Sequence, residues 1–165
     1  MIRLSIFVFL IVLAFAGCTR DDICPEDTAT TPLLVIEFRD NADRENTKAV
    51  KDLLIYVNNT DSTQVTATAV NDTIVSIPLN TEADISSFLF EVNSASSTGN
   101  NFDTVSFNYS RQEIYINRAC GFKMNFNDFF VAVEDETLNG NWILNTEMQQ
   151  AIITNDNEVH LTIYH

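Results

Sequence analysis

Helical periodicity is nearly absent from this 165-residue chain, and glycine and proline are scarce at four and three. No glycine-rich loop is available to cradle a phosphate, and neither HExxH nor G-x-S-x-G occurs. The chain has two histidines, His160 and His165. Their odd offset puts them on opposite faces of a regular strand, so one strand cannot offer both to one metal ion. Lone strand histidines are ordinarily structural or exposed, and no zinc site is expected. Basic residues number 9 against 23 acidic ones, for a net charge of −14. Phosphates would repel such a chain, which excludes nucleic acid as a partner.

The one long apolar run stands at the start. Met1-Ile2-Arg3 is followed by Leu4 to Ala16, in which Ser5 is the single polar residue. As a helix this run spans about 20 Å at ~1.5 Å per residue, short of a bilayer core of ~30 Å. It reads as a secretory signal segment rather than a membrane-spanning anchor. Two cleavage sites compete. Ala14-Phe15-Ala16 fits an ordinary A-x-A site, with cutting before Gly17. Phe15-Ala16-Gly17-Cys18 resembles a bacterial lipobox, in which the cysteine is lipidated and becomes the first mature residue, although Leu is usual where Phe15 stands.

Cysteine parity favours the lipobox. Cys18, Cys24 and Cys120 form an odd set, and an exported protein rarely keeps a spare thiol. Lipidation of Cys18 leaves Cys24 and Cys120 to pair. Their bridge would close a long loop, for which the chain-entropy model gives about 4–5 kcal/mol. It would also fix the start of the tether to the domain. A Cys120–histidine nucleophile pair is the competing reading, and a bridged cysteine cannot serve in it. Several acyl chains on Cys18 would anchor the chain stably. Loss of residues 1–17 removes Arg3 and leaves the mature chain one unit more negative than −14.

These features divide the chain into a lipoprotein signal peptide (1–17), a lipidated cysteine with its tether (18–31) and a single domain (32–165). In the domain, Leu33 to Phe38 is a continuous apolar run, as expected of a strand buried on both faces. Leu53 to Val57 is another, and Gln64 to Val70 alternates. Thr73, Val75, Ile77 and Leu79 alternate too, with Pro78 marking an edge or strand end. Further strands are expected at Phe88–Val92, Val105–Tyr109, Ile114–Ile116, Phe122–Phe126 and Phe129–Val133, with a last one in VHLTIYH. Ser110-Arg111 is expected to form a tight hairpin, residues 93–101 a flexible loop and residues 134–141 an acidic turn. Asn145 to Ile153 is the one helical candidate. Short strands at regular spacing indicate an all-β, antiparallel sandwich, immunoglobulin-like or similar, with about eight or nine strands. Twelve phenylalanines are available for its core.

The segments CTRDDICPED, TPLLVIEF, SIPL, NRACGFK and the terminal IYH resemble a family of short lipoproteins of flavobacterial type from Bacteroidota, catalogued as a domain of unknown function. The resemblance implies location and no particular activity. In that group, acids close to the lipidated cysteine act as a signal for display at the cell surface, and Arg20-Asp21-Asp22 is similar to its basic-acidic-acidic form. Thr19 is compatible with outer-membrane sorting. The same phylum carries O-glycans at Asp-(Ser/Thr)-small-apolar sites. Thr28, Ser62, Thr73 and Thr104 stand in sequences that look like it.

Remaining chemistry is sparse. Asp40 to Glu45 and Asn155 to Glu158 cluster oxygen ligands, yet neither fits an EF-hand loop, and ordinary turn chemistry is the preferred reading. Trp142, the single tryptophan, would stack on a sugar ring if exposed, although packing at a sandwich edge is the commoner role. No carboxylate spacing singles out a general acid and base. The expectation is therefore a non-catalytic outer-membrane lipoprotein, without cofactor, that serves as a binding or structural module of the cell envelope, with an envelope protein or glycan as its partner. A glycan-binding surface module and an envelope hydrolase are the alternatives.

Overall fold

The computed structural model describes residues 23–137 and 140–165. Cys18 and the Arg20-Asp21-Asp22 signal candidate lie outside the described residues, as does the leader. Eight strands make up the domain: β1 (Leu34–Arg39), β2 (Leu54–Val57), β3 (Ile74–Ile77), β4 (Ile85–Val92), β5 (Asn101–Asn117), β6 (Gly121–Val133), β7 (Asn145–Met148) and β8 (Leu161–Tyr164). They form two four-stranded sheets, ordered β3-β1-β8-β7 and β2-β4-β5-β6. This is an all-β sandwich. The named pairings are antiparallel except β1 with β8, which run parallel in the register Ile36↔Leu161 and Phe38↔Ile163. The sandwich is antiparallel-dominated, as expected, with β1–β8 as its parallel exception.

Alternation explains the two layers. Leu34, Ile36 and Phe38 of β1, with Leu161 and Ile163 of β8, turn fully buried side chains inward. Phe88, Phe90, Val105 and Phe107 meet them from the second sheet in the same core. Phe107 stacks on Phe129 with centroids 5.6 Å apart and meets Phe88 at 5.9 Å. Each such side chain contributes roughly 1.5–3 kcal/mol through burial. Glu37 and Arg39 face outward from β1, so that strand is less uniformly apolar in its surroundings than the run Leu33–Phe38 suggests.

Three local expectations are corrected. Ser110-Arg111 is not a turn: β5 passes straight through it. Its register with β6 shifts between Asn108 and Ser110, where Tyr109 faces the bulged β6 residue Asp128, held at φ 53°. The real turn is Arg118-Ala119-Cys120, closed by Gly121 at φ +72°, a conformation that favours glycine. Asn145–Ile153 is not helical, since Asn145–Met148 pairs with β8. Gln64–Val70 forms no full strand. It joins β2 through isolated bridges at Tyr56↔Gln64 and Leu53↔Val70 and shields that edge of the sheet.

Beyond Asn108, β5 and β6 continue without β4 as a two-stranded ribbon. The segment leading into β1 runs along the free edge of β6. Cys24 is disulfide-bonded to Cys120, with Cα atoms 4.9 Å apart, and Thr31 Oγ1 accepts the Met124 N–H at 3.0 Å. Further along the same edge, Phe126 and Ile153 exchange N–H to C=O bonds at 3.1 and 2.7 Å.

Candidate functional site

Two concave regions stand out. The larger, about 570 Å³, lies beside the β2–β4 edge. Phe88 and Leu79 form its buried floor, and Val57, Val65, Pro78 and Ile85 its apolar walls. Asn58, Asn59 and Asn80 bring amides to it. Its hydroxyls already have partners. Ser86 Oγ accepts the Asn80 N–H at 2.7 Å and lies 2.6 Å from the Tyr109 hydroxyl, which donates to the Asn80 carbonyl at 2.9 Å. Burial pushes the Tyr109 hydroxyl above the usual phenol range. Asn58 donates to Ser87 Oγ at 3.1 Å. A groove with paired hydroxyls and an apolar floor is suited to holding apolar matter and offers no activated nucleophile.

The second region, about 450 Å³, is polar and lies on the outward face of the first sheet. Register places Glu37, Thr162 and Glu147 in one row across β1, β8 and β7, with Arg39, Tyr164 and Asn145 in the next. Glu37 and Arg39 form an ion pair at 2.5 Å, which raises the guanidinium pKa. Tyr164 donates to Glu147 at 2.6 Å, and this bond pushes the phenol up. The Arg44 guanidinium lies 4.6 Å above the Tyr164 ring. Gln149 and Gln150 complete the rim. Two strand spacings of ~4.8 Å separate Glu37 from Glu147, and each carboxylate is already engaged by a donor. The arrangement presents hydrogen-bonding groups to a polar ligand. Sequence reading missed this face, because the row exists only once the β1–β8–β7 register is known.

The residues singled out from sequence disperse. Cys120 is bonded to Cys24 and is no nucleophile. His160 is buried, and its Nδ1 accepts the Val35 N–H at 3.0 Å; burial holds its pKa low. His165 lies at the other end of β8 between Phe38 and Trp142, with Nε2 3.1 Å from the Lys48 carbonyl. Trp142 is not a free stacking platform. Its indole N–H donates to the Phe90 carbonyl at 3.1 Å, and its ring packs near Phe38 and His165. Asp40 Oδ1 accepts the Ala42 N–H at 2.8 Å, and Asn155 Oδ1 accepts that of Asn157 at 3.0 Å, which is turn chemistry. Among the described residues, no three His, Cys, Asp or Glu side chains converge as metal ligands.

The four candidate glycan acceptors differ in access. Thr104 is buried within β5, which removes it from the candidates of the folded domain. Thr28 is half-buried with its hydroxyl 3.6 Å from Cys120 Sγ, and Thr73 is half-buried beside Asp72. Ser62 is exposed in a turn.

Asp103, beside Thr104, is the most buried carboxylate of the fold. Its oxygens accept the N–H groups of Ile143 at 2.7 Å and Trp142 at 3.3 Å. Burial raises its pKa, and those two bonds partly oppose the rise. A buried, shifted carboxylate is often functional, but here it fastens the 140–143 loop to the sandwich.

No curated protein and no solved structure matches the chain. A family of unknown function, DUF6452, matches residues 52–165, which takes in β2 to β8 and leaves out β1. With more than half its length matched, the chain belongs to the DUF6452 family of unknown function.

Proposed function

We propose that the chain is an exported lipoprotein, held on the outer membrane through acyl groups on Cys18, that works by contact rather than catalysis. The observation that carries this reading is the Cys24–Cys120 bridge. It accounts for two of three cysteines, fits an oxidising compartment and leaves Cys18 for lipid. The apolar groove beside β2 and β4 is the contact site for an envelope protein, since its floor and walls are apolar and its hydroxyls are already paired. Arg20-Asp21-Asp22 favours the cell surface over the periplasmic side. Replacing Cys18 by Ala and following the protein by fractionation tests the anchor: it should move from the membrane to the soluble fraction.

The polar face of the first sheet favours glycan binding as a second reading, because Glu37, Arg39, Glu147 and Gln149 offer donors and acceptors together. Gln150→Ala should then weaken binding to oligosaccharides in calorimetric titration with the thermal midpoint little changed, whereas Glu147→Ala should also lower the midpoint, because it strands the hydroxyl of the buried Tyr164. A hydrolase reading needs distant carboxylates, or Cys120 and a histidine, to converge in a pocket, and the bridge opposes the second of these.

A further inference from the structure

The ribbon formed by the distal halves of β5 and β6 ends in large exposed apolar side chains. Tyr115 and Phe122, cross-strand partners, are 59% and 62% exposed and meet edge to face at 5.2 Å. Strand rise puts them only about 7 Å from the end of the β5–β6 ladder. Ile23, 77% exposed, directly precedes the cysteine bonded to that turn. An edge-to-face aromatic pair left in water forgoes its burial, so it calls for a covering surface.

Charge and chain length identify that surface. The net charge of the chain is −14, yet the ribbon carries Arg111, Arg118 and Lys123 against Glu113 and Asp128. Arg111 is engaged by Asp84 at 2.6 Å, and Glu26 and Asp27 follow Cys24. The tip therefore keeps only a small negative excess within a strongly acidic molecule, so its repulsion from a zwitterionic lipid headgroup layer is weak. Aromatic side chains with flanking Lys and Arg prefer that layer. Cys18 stands six residues before Cys24, so an extended chain between them reaches at most about 22 Å.

We infer that the β5–β6 ribbon stands on the bilayer, with Tyr115, Phe122 and Ile23 resting in its interfacial layer. This rests on the lipid anchor at Cys18. The disulfide ties the chain at Cys24 to the end of the ribbon and so fixes the footing. The opposite end of the domain, marked by Asp103 and Trp142, then points away from the membrane. Twelve residues of β5 separate Asp103 from Tyr115, roughly 40 Å at ~3.4 Å per residue.

Trp142, as the single tryptophan, supplies a built-in reference. The mature protein, purified from membranes, is reconstituted in phosphatidylcholine vesicles with and without brominated phosphatidylcholine, unmodified and as Phe122→Trp. Tyr115→Trp serves as a second probe of the same site. The inference predicts that added emission from either variant is shifted to the blue and quenched several-fold more than that of Trp142. Equal quenching in variant and unmodified protein, with acyl groups present by intact mass, overturns the footing and leaves the anchor standing. Absence of acyl groups from Cys18 overturns the anchor, and the footing falls with it.

Discussion

Val35 and His160 exchange two hydrogen bonds: the Val35 N–H donates to His160 Nδ1 at 3.0 Å, and the His160 N–H donates to the Val35 carbonyl at 3.0 Å. The imidazole thereby extends the parallel β1–β8 pairing by one residue. Its acceptor role requires the neutral ring, and burial lowers its pKa against the opposing Asn155 carbonyl, Glu158 and Asp156. A depressed histidine pKa stabilises the fold above the unfolded value near 6.5 and is lost as pH falls through the folded value. Thermal midpoints should fall below pH 6.5. His160→Asn, which keeps an acceptor without titrating there, should flatten part of that fall. His165, also lowered mainly by burial, should account for the remainder.

Asp103 has the opposite sign. Its folded pKa lies above the ordinary carboxylate value near 3.8, so its favourable contribution is complete below that value and fades as pH rises through the folded pKa. Asp103→Asn should therefore lose less stability near pH 7 than Asp103→Ala, measured by urea unfolding. The alanine variant strands two N–H groups, that of Ile143 buried, at a cost of about 1–3 kcal/mol each when buried.

The disulfide joins residues 96 apart. The double variant Cys24→Ser, Cys120→Ser should lose about 4–5 kcal/mol by the chain-entropy model, read in chemical denaturation. Segment 28–31 should also gain amide exchange, because the bridge holds it along β6.

Trp142→Phe removes the bond to the Phe90 carbonyl and should cost about 1 kcal/mol. Glycan binding, if carried by the polar face of the first sheet, should be unchanged in this variant. Selective loss of binding at unchanged stability would return Trp142 to the binding site.

Among the four Asp-(Ser/Thr) sites, Ser62 is the accessible acceptor and Thr104 the buried one. If the protein carries an O-glycan, Ser62→Ala should remove the glycan's mass beyond the side-chain change itself, and Thr104→Val should leave the glycan's mass in place.

Strands whose alternation persists inside the sandwich were legible from sequence. Leu34–Phe38, Val75–Ile77 and Phe88–Phe90 bury alternate or successive side chains as their patterns require. The Cys24–Cys120 pairing was legible too, since cysteine counting needs no geometry. The pattern misled where strands leave the core. Arg111 reads as a turn residue, yet it sits in a strand extending past the sandwich, where the loop residue Asp84 replaces apolar packing. Asn145–Met148 is a four-residue strand with exposed or half-buried side chains, too short and polar for period-two alternation to register. The Glu37–Thr162–Glu147 row draws on three strands distant in sequence, so local spacing holds no trace of it.

The central claim is that Cys18 carries lipid while Cys24 and Cys120 carry the bridge. The intact mass of the protein extracted from membranes, before and after reduction, tests both at once. The account predicts a chain beginning at Cys18, heavier by its acyl groups and gaining two hydrogens on reduction. A chain beginning at Gly17 without added lipid would contradict it.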